Sequence, residues 1–197
     1  AHLYDGGSHT FEVDPTVSDF LSEYTAANQL MKRQQYDQAL AAFVELSNNG
    51  MATDYQKSVA LSKAAHCARR KKKIEQAAAF VHLVPLEAIA MTVHMQNLIA
   101  ERQWAALIDQ FGNRDLLDLP FTQIGAAAFA RGQAHYTLKS GAKADADLRL
   151  ALKFTSDTRT RMSILRTMGQ NRELVLQNDA LAMEAYRKIV DSKTNTG

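Results

Sequence analysis

Five short stretches of this 197-residue chain repeat one pattern at nearly even intervals, and nothing else in the sequence constrains the fold so tightly. They are Tyr36-Asp37-Gln38-Ala39 with Phe43, Ile74-Glu75-Gln76-Ala77 with Val81, Trp104-Ala105-Ala106-Leu107 with Phe111, Ala144 with Leu148 and Ala151, and Ala182 with Tyr186. The anchors at 39, 77, 107, 144 and 182 are separated by 38, 30, 37 and 38 residues, a spacing that fits helical-hairpin repeats. Twelve residues before each anchor stand Ala27, Ala65, Met95, Gly132 and Gln170. Three of these are small, as a close crossing of two helices requires. A single hairpin cannot bury its apolar faces alone, so such units must stack on one another.

The segments around the anchors read as ten helices. Phe20, Leu21, Tyr24, Ala27, Leu30 and Met31 recur at three and four spacing and mark one buried stripe. Asp14 is placed to cap this first helix, with Pro15 at its first position, and it runs to about Gln34. The remaining helices are expected at 36–46, 53–70, 74–83, 85–101, 104–111, 121–138, 142–154, 157–176 and 179–190. Thr53 and Gln56 form a capping-box pair. Pro85 and Pro120 stand at helix starts, and Gly112 and Gly141 where helices stop.

Composition agrees with this reading. Three prolines and nine glycines in the whole chain disfavour a loop-rich β architecture. No apolar run approaches the roughly 18 to 20 residues of a membrane span, so the chain reads as soluble, without membrane insertion. A net charge of +2 provides no general field for nucleic acid or an anionic membrane. The lone Cys67 rules out an internal disulfide and leaves the compartment open. The sequence opens on Ala1 rather than methionine, as a processed, exported or organellar protein would, or a piece of a longer cytoplasmic one. Residues 1–14 are expected to be an extended arm, 15–190 one helical domain, and 191–197 a polar tail.

The large, small and aromatic arrangement of Tyr36, Ala39 and Phe43, and the set Gly132, Tyr136, Ala144, Leu148 and Ala151, resemble tetratricopeptide repeats, whose period is about 34 residues. The resemblance covers residues 16–190; the third and fifth units depart from it with Met95 and Gln170. It implies an all-α, right-handed superhelical solenoid of five helix-turn-helix repeats. The first helices would line a concave groove, where the register puts Tyr24, Asn28, Met31, Ser62, His66, Arg69, Gln96, Gln133, Tyr136 and Asn171. Amide, hydroxyl and aromatic groups of this kind suit a peptide or partner protein. The alternative is that they only pack against neighbouring repeats or face water. The clamp with which some such domains hold chaperone C-termini needs lysine, asparagine, asparagine, lysine and arginine. Here the matching places hold Tyr24, Asn28, Lys63, Ile89 and Val93, and only Asn28 agrees.

The run Arg69, Arg70, Lys71, Lys72 and Lys73 closes a first helix, where cations complement the helix dipole. Five in a row also offer a patch for an acidic partner; without interleaved aromatic residues they do not suit RNA. No phosphate-binding glycine loop, His-Glu-x-x-His or Gly-x-Ser-x-Gly occurs, so no catalytic residues, cofactor or metal site are expected. His66 and Cys67 are adjacent and point about 100° apart on a helix, unlike a base and its nucleophile. His2, Asp5 and His9 have ligand chemistry without fixed geometry, and Met91, His94 and Met95 read as packing. The function that follows is an interaction scaffold or adaptor rather than an enzyme. The alternative is a structural or regulatory accessory subunit of a larger enzyme assembly. Ala182, Tyr186 and Ile189 on the last helix suggest an end face covered by a partner or by the N-terminal arm of another copy.

Overall fold

The structure, a computed structural model, describes residues 15–194, with side-chain environments for 19–191. The predicted arm, with Asp14, His2, Asp5 and His9, and the last three residues of the predicted tail lie outside the described residues; 191–194, expected in the tail, continue the last helix. Among those described, the chain forms ten α-helices and one short 3₁₀ turn, Leu116–Asp118. The helices are α1 (Pro15–Lys32), α2 (Tyr36–Asn48), α3 (Asp54–Arg70), α4 (Ile74–Leu83), α5 (Glu87–Ala100), α6 (Trp104–Phe111), α7 (Phe121–Thr137), α8 (Gly141–Lys153), α9 (Thr158–Leu174) and α10 (Asp179–Thr194).

The capping box forms as expected: the Thr53 hydroxyl accepts from the Gln56 amide at 3.2 Å, and Gln56 Oε1 accepts from the Thr53 amide at 2.8 Å. Two punctuation marks read differently. Pro85 lies outside α5, whose N-cap is Leu86. Gly141 does not end a helix; it begins α8. It is buried, and a Cβ there would press on Leu176 and Val175, so its smallness serves packing by the turn after α9.

What ends the first helix of each hairpin is a residue in the left-handed region, and none of these is glycine. Gln34, Lys72, Arg102, Lys139 and Gln177 have φ of 62°, 59°, 59°, 61° and 52°. Each stands five residues before its anchor. In the first turn the Gln34 amide donates to Met31 O and the Gln35 amide to Leu30 O, both at 3.0 Å, which is the Schellman pattern that satisfies the last carbonyls of a helix. The same pair of bonds closes the turns at Lys72, Arg102 and Lys139. The anchor amide then makes the first bond of the second helix, as from Ala39 to Gln35 O at 2.9 Å. All five anchors are buried: Ala39, Ala77, Leu107 and Ala144 at 0% exposure and Ala182 at 3%.

The fifth turn holds one residue more. Asn178 donates to Arg172 O, six residues back, where the other turns reach back five. This shifts the register of α9, so Gln170 is exposed and Gly169 occupies the close contact, its absent Cβ leaving room for the Tyr186 ring. The small residue expected at 170 is thus present one place earlier.

Each helix packs on the next, and α3, α5, α7 and α9 also pack on one another in succession. Buried apolar side chains form two clusters, one from Phe20 to Val93 and one from Met91 to Ala185. They meet at α5, which contributes Ile89 and Val93 to the first and Met91, Met95 and Leu98 to the second. On α10, Ala182 and Ala185 are buried and the half-buried Tyr186 meets α9, whereas Met183 and Val190 face outward. Changing Ala144 to leucine should overpack the fourth hairpin and cost about 1–3 kcal/mol. Urea unfolding measures this, and an unchanged midpoint would mean that 144 does not sit between crossing helices.

Candidate functional site

The residues assigned to the groove divide into three groups. Tyr24, Asn28, Met31, Ser62, Gln133 and Tyr136 are half-buried, and His66 is exposed. They lie on the first helices α1, α3 and α7. Asn28 donates to Tyr24 O at 2.8 Å within α1, and Tyr24 stacks with Phe20 and meets Phe43 edge-on. Burial raises the Tyr24 phenol above its ordinary pKa, with the Asn28 hydrogen bond opposing. Lys139 Nζ lies 5.8 Å over the Tyr136 ring. The Ser62 hydroxyl and the Gln133 side-chain amide have no hydrogen-bond partner among the described residues.

Arg69 and Gln96 form a second group, joined to each other. Arg69 Nη2 donates to Gln96 Oε1 at 2.6 Å and Nη1 to Asn97 Oδ1 at 2.7 Å, tying α3 to α5. Burial lowers Arg69 to about 10. Asn171 stands alone in the third group and does not face a ligand: it is fully buried and donates to Gly141 O at 2.9 Å. Asn97 does the same two hairpins earlier, donating to Ala77 O at 2.9 Å. These two amides stitch a first helix to the second helix before it.

The basic run is largely absorbed by local structure. Lys71 and Lys73 both pair with Asp37, at 2.8 and 3.0 Å. Arg70 lies 5.4 Å over the Tyr36 ring, and Lys72 is the left-handed residue of the turn. Exposed ion pairs of this kind contribute little to stability. The run holds the second hairpin against the start of α2. Its charge also acts on His66: desolvation by the surrounding protein first, then Arg69, Lys63 and Arg70, push that imidazole, exposed in part, down to about 4. His66 is therefore neutral at physiological pH. Neighbouring Cys67 is fully buried, and desolvation pushes its thiol up to about 11, so it is a core residue. Met91 and Met95 are buried, and His94 stands edge-on to Phe111.

Sequence reasoning missed the buried charges of the last two hairpins. Arg131 on α7 grips both oxygens of Asp147 on α8, at 2.7 and 2.9 Å, and donates also to Arg114 O and Phe111 O at 2.6 and 3.3 Å. His135 Nε2 lies 3.8 Å from Asp147, while burial above all holds its pKa down. Two residues back along α8, Asp145 accepts from Arg172 of α9 at 2.7 Å and from Arg149 at 2.6 Å. Arg172 also donates to Leu181 O at 3.0 Å. The two carboxylates turn α8 into a polar seam between its neighbours. The signal that could have found them is Asp145-x-Asp147 on a helix whose other buried positions are small or apolar.

Clefts open away from the predicted groove. One lies between α2 and α4, with Asp37, Leu40, Val44 and Gln76 in its walls, and another is formed by α8, α9 and α10. Among the described residues, no group of three or more His, Cys, Asp or Glu side chains is arranged to hold a metal ion, and no helix is long and apolar enough to cross a membrane.

Among the described residues, these features define an all-helical array of five hairpins, each turn holding one left-handed residue. The chain matches no family model, no curated protein and no solved structure.

Proposed function

We propose that this chain is a protein–protein interaction scaffold, a right-handed superhelical solenoid of tetratricopeptide type that takes a peptide or partner protein in the groove of its first helices. The succession of α3, α5, α7 and α9, each packed on the next, supports the solenoid. The observation that carries the binding reading is the half-exposed set Tyr24, Asn28, Ser62, Gln133 and Tyr136 on α1, α3 and α7, in which Ser62 and Gln133 have no partner among the described residues. Polar groups left free beside aromatic rings can bond a peptide backbone while the rings cover apolar side chains. Arg69 and Gln96 tie α3 to α5, and Asn171 ties α9 to α8. The chaperone-tail clamp is no part of the proposal, since Ile89 and Val93 at two of its places are buried.

The test is affinity capture from a lysate of the source organism, comparing the chain with an Asn28→Ala/Tyr136→Ala variant of equal melting temperature. A defined partner retained by the chain and lost by the variant is the expected outcome. Equal retention would remove the first-helix face as the binding site.

A further inference from the structure

We infer that the cleft between α8 and α10, floored by α9, is a second binding site that takes an acidic segment of a partner protein. Its charge is one-sided: Arg149, Lys153, Arg161, Arg172 and Lys188 line it, against the single carboxylate of Glu184. Asp145, beneath the rim, answers Arg149 and Arg172, and Glu184 pairs with Lys188 at 2.7 Å. Two carboxylates thus stand against five cations, leaving an excess of positive charge at the cleft.

The cations are also held in place. Arg161 Nη1 donates to Leu152 O and Thr155 O, each at 2.7 Å, which caps the end of α8 and leaves the remaining guanidinium donors available. Lys153 Nζ is positioned 5.5 Å over the Phe154 ring, an exposed contact that costs little to exchange for a carboxylate. Cations fixed before a ligand arrives lose less freedom on binding than free side chains would.

Shape and chemistry select a peptide. The cleft has a volume of about 520 Å³, and Leu152, Met168 and Leu181 supply apolar surface among the cations. A bare phosphate would leave that surface unused, and an aliphatic side chain between carboxylates would cover it. Among the described residues, no aromatic side chain lines the cleft, and without one a single nucleic-acid strand has no stacking platform. The site is distinct from the first-helix groove, because its walls come from the second helices.

The test titrates the whole chain into a fluorescein-labelled decapeptide of glutamate with leucine at every third position, followed by anisotropy at low salt. Saturable binding is expected, weakened about tenfold or more by Lys153→Glu/Lys188→Glu, since each charge reversal replaces attraction by repulsion. Both lysines are exposed, so the double variant should fold, which a melting curve checks. Asn28→Ala/Tyr136→Ala should bind the decapeptide like the parent chain. No saturable binding, or unchanged affinity in the charge-reversed variant, would overturn the proposal. So would equal affinity for tripolyphosphate, an oligothymidylate or a leucine-free glutamate peptide, any of which would mark a general anion site.

Discussion

Replacing Asp145 by alanine should lower stability by about 3–5 kcal/mol, the usual result of leaving one member of a buried ion pair behind. The partner left behind is Arg172, whose side chain is 5% exposed and whose other bond is to Leu181 O. Arg149 is much more exposed and can turn to water. The loss corresponds to a melting temperature lower by roughly 10 °C for a chain of this size. Asp145→Asn should fall between parent and alanine variant, because it keeps hydrogen-bonding capacity without the charge. The same carboxylate gives a pH dependence. Burial works to raise its pKa, but the hydrogen bonds and charges of Arg172 and Arg149 outweigh it and hold the folded-state value below the ordinary one. The unfolded chain therefore binds a proton at higher pH than the native one. The contribution is fully present above about pH 4 and is lost as pH falls through the depressed value. Urea unfolding of parent and Asp145→Ala chains from pH 7 to pH 3 should show the two midpoints converging toward the acid end. A constant difference across that range would show that the Asp145–Arg172 pair is not the source of the effect.

Met95→Ala should cost about 2–5 kcal/mol by leaving a cavity, even though the repeat pattern suggests that alanine is the better residue there. The corresponding places in the first, second and fourth hairpins hold Ala27, Ala65 and Gly132. In the third, Met95 is fully buried on the helix where the two apolar clusters meet. The third unit is also the short one, with anchors 30 residues apart. Thermal and urea unfolding measure the effect. An alanine variant as stable as the parent would mean that the surrounding helices close the gap.

Helix positions were legible because burial imposes its period on the sequence, and because each anchor must be buried beside the turn that precedes it. Ile74–Leu83 and Trp104–Phe111 form as read. The turns were less legible. Their left-handed residues are glutamine, lysine or arginine, and the bonds that define them come from the backbone, which has no letter in a sequence. Gly141 drew attention as a stop signal when its role is to admit Val175 and Leu176. The fifth hairpin misled by a single residue, since one extra position in a turn displaces every side chain of α9 by about 100°. Among the proposed groove residues, Asn171 could not be distinguished from Asn28, because an asparagine reads the same whether it faces solvent or bonds Gly141 O.

The five left-handed turns carry a consequence for how such a chain tolerates change. A left-handed backbone penalises side chains branched at Cβ far more than straight ones, and excludes proline, whose φ is fixed near −65°. Gln34, Lys72, Arg102, Lys139 and Gln177 are all unbranched at that carbon. Drift among long, straight residues therefore leaves each bend intact while erasing any motif that a comparison of letters could recover. The repeat is specified as a set of torsion angles, and two chains built on it could differ at every turn residue and still fold alike.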